Sequence, residues 1–332
     1  MLLGRILDNM CSIYEGSSLH NPSLARKLKS MASLARGMEA TLPVDYIYAL
    51  LGVCFDLPGH AGCEDFVLQP DYAVPVEGVY LETAKYLLTK DGANALVWTS
   101  LRLDSVLLLL SWVRDWTLHD VERPLDSPAI FLEPPLFSAS GRNHDFVWHT
   151  TGGVNGRTLS LLAVCVDMVT IVPDTASPVH PDTLASYVAF LRSNVDQTAT
   201  DPSDVIWRVL IADQGYSSGN SIPTRAAVPL QEGFHEFMAH ADLLKATAYR
   251  IAFQITSPGR KAFFTQGGRT GLGPDVAEVG DGVYIVQGAN VPMILREAGN
   301  GQYRIVGQAY VYGVMDGEAM EGDPKFEWVE LV

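Results

Sequence analysis

Two imidazoles and a carboxylate fall within six positions at His144, Asp145 and His149, with Trp148 beside them. With residues 146–150 read as a strand, alternation puts Asp145, Val147 and His149 on one face. A carboxylate beside an imidazole can shuttle a proton, because histidine titrates near neutrality. On a surface strand the same pair is a salt-bridged histidine that contributes little. His149, Asp145 and His144 are the candidate catalytic residues.

Other motifs fail on context. Gly215-Tyr216-Ser217-Ser218-Gly219 has the spacing of a nucleophile elbow, which thrusts a serine out between a strand and a helix. Here 204–213 reads as a helix and Pro223 ends any helix that follows, so the segment reads as a polar loop. His235-Glu236 followed by His240 spaces its imidazoles by five, which turns them off one helical face and away from a shared zinc. The glycines at 267–273 fit neither a dinucleotide fingerprint nor a P-loop. Asp316, Glu318 and Glu321 form a carboxylate cluster that would need burial to do acid–base work. These patterns imply no metal and no cofactor.

The 332 residues are 48% hydrophobic, enough for one large core or two coupled ones. A net charge of -15 repels phosphate backbones, which argues against nucleic acid as a partner. Cys11, Cys54, Cys63 and Cys165 make no CxxC pair and read as reduced thiols. Apolar runs are too short for a signal peptide or a membrane span, so the expectation is a cytoplasmic protein.

Patterning divides the chain. Residues 22–34, 46–53 and 75–87 carry helical periodicity, and the apolar run 101–112 reads as a fourth, buried helix bearing Trp112. If that helix continues, Trp112 and Trp116 share one face as packing anchors. Prolines punctuate 124–135. Residues 146–150 and 159–172 then read as strands joined through Asn155-Gly156, the second buried on both faces. Helices return over 181–250, and short strands separated by glycine turns follow from 260. The expected fold class is α+β. A helical region, 1–120, packs on a small β barrel, 121–332, built from about 130–175 and 258–315 with a helical insertion at about 181–250, as one integrated unit.

Five segments, in order over roughly 280 residues, resemble the C-terminal region of fungal heterokaryon-incompatibility (HET) family proteins. They are Ala40-Thr41-Leu42-Pro43-Val44-Asp45; Pro70-Asp71-Tyr72 leading into Val79-Tyr80; Ser111-Trp112-Val113-Arg114-Asp115-Trp116, with Arg114 where the family usually has proline; the strand at 161–172; and Arg269-Thr270-Gly271 running to Tyr303-Arg304-Ile305-Val306-Gly307 and Ala309-Tyr310-Val311-Tyr312-Gly313. The family's signalling domain precedes the first of these, and the 39 residues before Ala40 are too few to hold it. The resemblance implies that the glycines at 267–273 and Asp316-Gly317 are barrel turns, and that Glu318 pairs with Arg269 or Arg296.

Two functions remain open. One is a cofactor-independent enzyme, a cyclase or isomerase acting on a small molecule of fungal secondary metabolism. Its site would be an apolar cavity between barrel and helices, with Trp148, Trp112, Trp116 and Arg296 as ligand contacts. The other is a non-catalytic recognition module that binds a protein partner and shows a large exposed apolar patch instead.

Overall fold

The computed structural model describes residues 25, 28, 29, 31, 32, 39–56, 69–101, 103–118, 123–125, 135–141, 145–151, 157–174, 181–195, 202–216, 223–239 and 243–332. The apolar run after His149 becomes the strand that organises the sheet. Strand β1 (Trp148–Thr151) pairs antiparallel with β2 (Thr158–Ile171), whose 14 residues are rich in Val, Leu and Ile. Four helices follow: α-helices Pro181–Asn194, Pro202–Leu210, Val228–Ala239 and Leu243–Thr256. Between the second and third of them lies a two-stranded ribbon of β3 (Gln214–Tyr216) and β4 (Pro223–Arg225). The chain then returns to the sheet through β5 (Arg260–Thr265), β6 (Thr270–Pro274), β7 (Gly282–Val286), β8 (Met293–Gly299), β9 (Gln302–Gln308), β10 (Tyr310–Val311) and β11 (Glu327–Leu331).

Strand β2 bonds four partners. Its first half lies beside β1 and β11, and its second half beside β7 and β5. Ala163 faces Glu327 on one side and Val286 on the other. The pairing path leaves β2 through β11, runs parallel to β9, continues through β8 and β7, and re-enters β2. Strand β11 lies beyond the 258–315 stretch expected to supply the strands; its Glu327, Trp328, Val329, Glu330 and Leu331 are too few and too irregularly patterned to stand out alone. Strand β7, the start of β8 and the end of β9 are buried on both faces, and alternation divides them between two cores. Val283, Ile285, Ile294 and Val306 enter a small core with Phe263 and Val311. Tyr284, Val286, Met293, Leu295 and Ile305 enter a larger one that extends to Ala25.

The helical part fills that larger core. In α1 (Asp45–Asp56), Ile47, Leu51 and Cys54 recur at helical spacing and are buried. Pro75 precedes α2 (Val76–Asp91), which buries Val79, Tyr80, Thr83, Leu87 and Leu88. Buried Lys29 pairs with Asp91, and the Tyr80 hydroxyl donates to the Pro43 carbonyl at 2.6 Å. In the insertion, with helices α3 (Pro181–Asn194), α4 (Pro202–Leu210), α5 (Val228–Ala239) and α6 (Leu243–Thr256), the Tyr187 hydroxyl accepts from Ala262 N–H at 2.6 Å and binds α3 to β5.

Residues 101–112 are not a helix. The described ones among them form an irregular, bent loop, and Leu103, Asp104, Val106 and Leu108 face outward. An unbroken Leu/Val run has no period of its own, so tertiary hydrogen bonds decide its conformation. Ser105 Oγ donates to Asp115 Oδ2 at 2.5 Å, and Leu101 N–H donates to the Val306 carbonyl at 2.9 Å. Trp112 and Trp116 therefore share no helix face. The helix read at 204–213 ends at Leu210.

Where β2 changes partner from β7 to β5 its register shifts, and Asp167 sits at the bend. Its carboxylate accepts from Met168 N–H at 2.9 Å, Gly267 N–H at 3.0 Å, Thr265 Oγ1 at 2.8 Å and Arg269 Nη1 at 2.7 Å. A Cβ on Gly267 would lie 2.6 Å from Asp167 Oδ2, so only glycine allows this approach. Burial alone would push the Asp167 carboxyl up; the hydrogen bonds from Gly267, Thr265, Met168 and Arg269 outweigh it and hold the group below the ordinary 3.8. With the folded value below the unfolded one, its stabilising contribution is complete above pH 3.8 and is lost as pH falls through the folded value. Asp167→Asn should lose about 1–2 kcal/mol at neutral pH, and urea unfolding across pH 2 to 7 should show a flatter acid limb than in the unsubstituted protein.

Candidate functional site

A charged cleft forms where α4, the β3–β4 ribbon and the segment after β10 meet. Its volume is about 310 Å³, and Asp204, Arg208, Asp213, Arg225, Tyr310, Tyr312, Asp316 and Glu318 line it. Asp204, in the first turn of α4, accepts from the indole N–H of buried Trp207 at 2.9 Å. One turn later Arg208 stacks over the Trp207 ring, 4.3 Å from its centroid. The helix then stops on two left-handed residues, Ala212 at φ 46° and Asp213 at φ 52°. For residues with a Cβ this conformation costs on the order of 1–2 kcal/mol each.

The strained turn directs the buried Asp213 carboxylate between two guanidinium groups, Arg208 Nη1 at 2.6 Å and Arg225 Nε at 3.0 Å. Burial pushes the Asp213 carboxyl up, and the two arginines only partly oppose it. Arg225 lies over the Phe137 ring at 4.8 Å and reaches Asp316 Oδ2 at 2.5 Å. Asp316 N–H donates to Glu318 Oε2 at 2.7 Å, and the Tyr312 hydroxyl donates to Asp204 Oδ2 at 3.3 Å. Four carboxylates against two guanidinium groups leave the cleft with two net negative charges.

Of the residues singled out by sequence, Asp316 and Glu318 line this cleft, both exposed at its rim, while the candidate catalytic and ligand residues lie elsewhere. Asp145 and His149 are exposed on and beside β1, where His149 packs edge-on against Trp328 at 4.9 Å. His144 lies outside the described residues. Trp148 is half-buried in β1. Trp112 and Trp116 are buried, and Arg114 lies between the rings of Trp98 and Trp116 at 5.2 and 4.9 Å. The space left beside Trp112 is about 20 Å³, room for about one water. Arg296 is held by Asp281 at 2.7 Å, by Glu278 and by the Val276 carbonyl, and Arg269 by Asp167, so neither pairs with Glu318. Ser217 and Ser218 lie outside the described residues, and the next described element after them is the strand Pro223–Arg225. His235 is exposed and His240 is not described. Among the described residues no group of three or more His, Cys, Asp or Glu side chains could hold a metal ion.

Residues 101–111 form an apolar loop with both ends on neighbouring residues of β9. Leu101 N–H donates to the Val306 carbonyl, and Ser111 Oγ accepts from Ile305 N–H at 3.1 Å. Leu107, Leu109 and Leu110 pack on the core. Leu103, Val106 and Leu108 face outward at 81%, 90% and 85% exposure. The described residues contain no helix long and apolar enough to cross a membrane.

The architecture is a curled, largely antiparallel sheet completed by a helical insertion. Residues 229–329, from α5 to within β11, match the Het-6 β-barrel domain, a C-terminal region similar to that of heterokaryon-incompatibility proteins. Heterokaryon incompatibility protein 6, OR allele, of Neurospora crassa is 35% identical over 82 residues. That stretch is 24% of this chain and 12% of the Neurospora protein. No solved structure matches. The long strand β2 lies outside the matched domain although it bonds three of that domain's strands.

Arg225→Ala leaves Asp213 buried with one cationic partner. It should cost about 2–3 kcal/mol, read as a lower urea midpoint, whereas Asp145→Ala on the exposed face should shift stability by less than about 0.5 kcal/mol.

Proposed function

We propose that this chain is a non-catalytic recognition module of heterokaryon-incompatibility type that binds a protein partner. The observation that carries this reading is the apolar loop. Three large aliphatic side chains stand in solvent within six residues, on a segment anchored at both ends to one strand. Exposed apolar surface is unfavourable at about 25 cal/mol per Å², and a cluster of it on an ordered segment marks an interaction surface. The relative's name, heterokaryon incompatibility protein, agrees with this reading. The pairing path that leaves and re-enters β2 supports reading the sheet as a small barrel that carries the loop. Enzymatic cyclase or isomerase activity has less support. The aromatic pocket expected for it is filled, leaving about 20 Å³ beside Trp112, and Asp145 and His149 face solvent.

The test is site-specific cross-linking in the fungal cell. A photoreactive residue at position 108 should give a discrete covalent adduct, and one at exposed Lys325 should not. Val106→Asp should reduce the adduct about tenfold, equivalent to loss of one buried aliphatic contact, with the melting temperature unchanged. An adduct indifferent to Val106→Asp, or none from position 108, would sink the proposal. A saturable thermal shift by a fungal small molecule would then restore the enzyme reading.

A further inference from the structure

We propose that the charged cleft receives a basic side chain, arginine or lysine, presented by the partner protein; this rests on the recognition reading above. The two arginines in the cleft are already neutralised. Arg208 is bound by Asp213 and flanked by Asp204, and Arg225 bridges Asp213 and Asp316. An anion entering would have to displace those carboxylates. The acceptors that remain open belong to the acidic groups. Asp316 Oδ1 and Glu318 Oε1 have no hydrogen-bond partner among the described residues, and both side chains stand at the rim.

A second observation is independent of the carboxylates. Tyr310 is 3% exposed, with its ring fixed 6.1 Å from that of Phe137. It lines the cleft with a hydroxyl that has no hydrogen-bond partner among the described residues, while the neighbouring Tyr312 hydroxyl is spent on Asp204. The ring is buried but the hydroxyl opens onto the cleft, where it is free to accept a hydrogen bond from an incoming donor. A cleft of about 310 Å³ accommodates one guanidinium or ammonium group with its aliphatic stem. Two net negative charges and two phenol rings suit that cation. The chain's overall charge of -15 draws basic partners towards it.

The probes are N-acetyl-arginine methylamide and N-acetyl-lysine methylamide, whose only charge is on the side chain, with the neutral citrulline analogue as control. The reporter is the methyl NMR signal of Met315, which lines the cleft; Met293, in the sheet away from it, is the reference. The cationic probes should shift Met315 saturably at millimolar concentration, leave Met293 in place and lose affinity in high salt. Citrulline should be inert. Glu318→Gln and Tyr310→Phe should each weaken binding about fivefold, roughly one lost contact, and Glu318→Gln does so on a rim position where folding is not at stake. No saturable Met315 shift, equal binding of citrulline, or binding of inorganic phosphate in place of the cations would overturn the assignment. Spermidine binding tenfold tighter than either amino-acid probe would also overturn it, because the cleft would then be a site for a free polyamine. Cross-linking from position 108 that persists while the cleft stays silent would remove the cleft alone and leave partner recognition standing.

Discussion

Fourteen residues of β2 hold the sheet together, because they bond four different strands in turn. One straight strand cannot serve β7 and then β5 without turning, so the ladder must bend near Asp167. The bend exposes backbone groups that need acceptors. The Asp167 carboxylate supplies them, bonding Met168 on its own strand and the turn at 265–269 across from it. Everything that closes around β2 inherits this geometry, including the turn whose Gly267 has no room for a side chain.

The charged cleft follows the opposite logic. Its elements are held by apolar packing, with Trp207 and Phe137 buried beneath Arg208 and Arg225. That packing bears the cost of a left-handed turn at Ala212 and Asp213 and of a buried carboxylate. The left-handed turn is what aims the Asp213 carboxylate at Arg208 and Arg225, and those two ion pairs offset its strain.

The apolar loop shows why composition alone misplaces such a segment. Buried and exposed aliphatic runs are identical in sequence. Here Leu107, Leu109 and Leu110 face the core while Val106 and Leu108 do not, an alternation imposed by the two anchors on β9. The Ser-Trp-Val-Arg-Asp-Trp segment that follows owes its order to Arg114 lying between Trp98 and Trp116, 18 positions apart in the chain.

What the sequence alone determined was local. Helical periodicity marked α1 and α2, and glycine turns the strands β5, β7, β8 and β9, because each rests on neighbouring residues with one dominant period. The resemblance at Arg269 to Gly313 placed the barrel region for the same reason; Gly271 and Gly273, expected in a barrel turn, lie instead within β6. Tertiary structure decided the rest. Strand β11 is five residues long and becomes a strand only because β2 and β9 offer it unpaired edges. The cleft joins Asp204 to Tyr312, 108 positions apart, and Asp213 to Arg225 across a ribbon whose strands are three residues each. No period or motif spans such separations, so charge pairing, burial and the turn at Asp213 brought together a site that the spacing of residues could not announce.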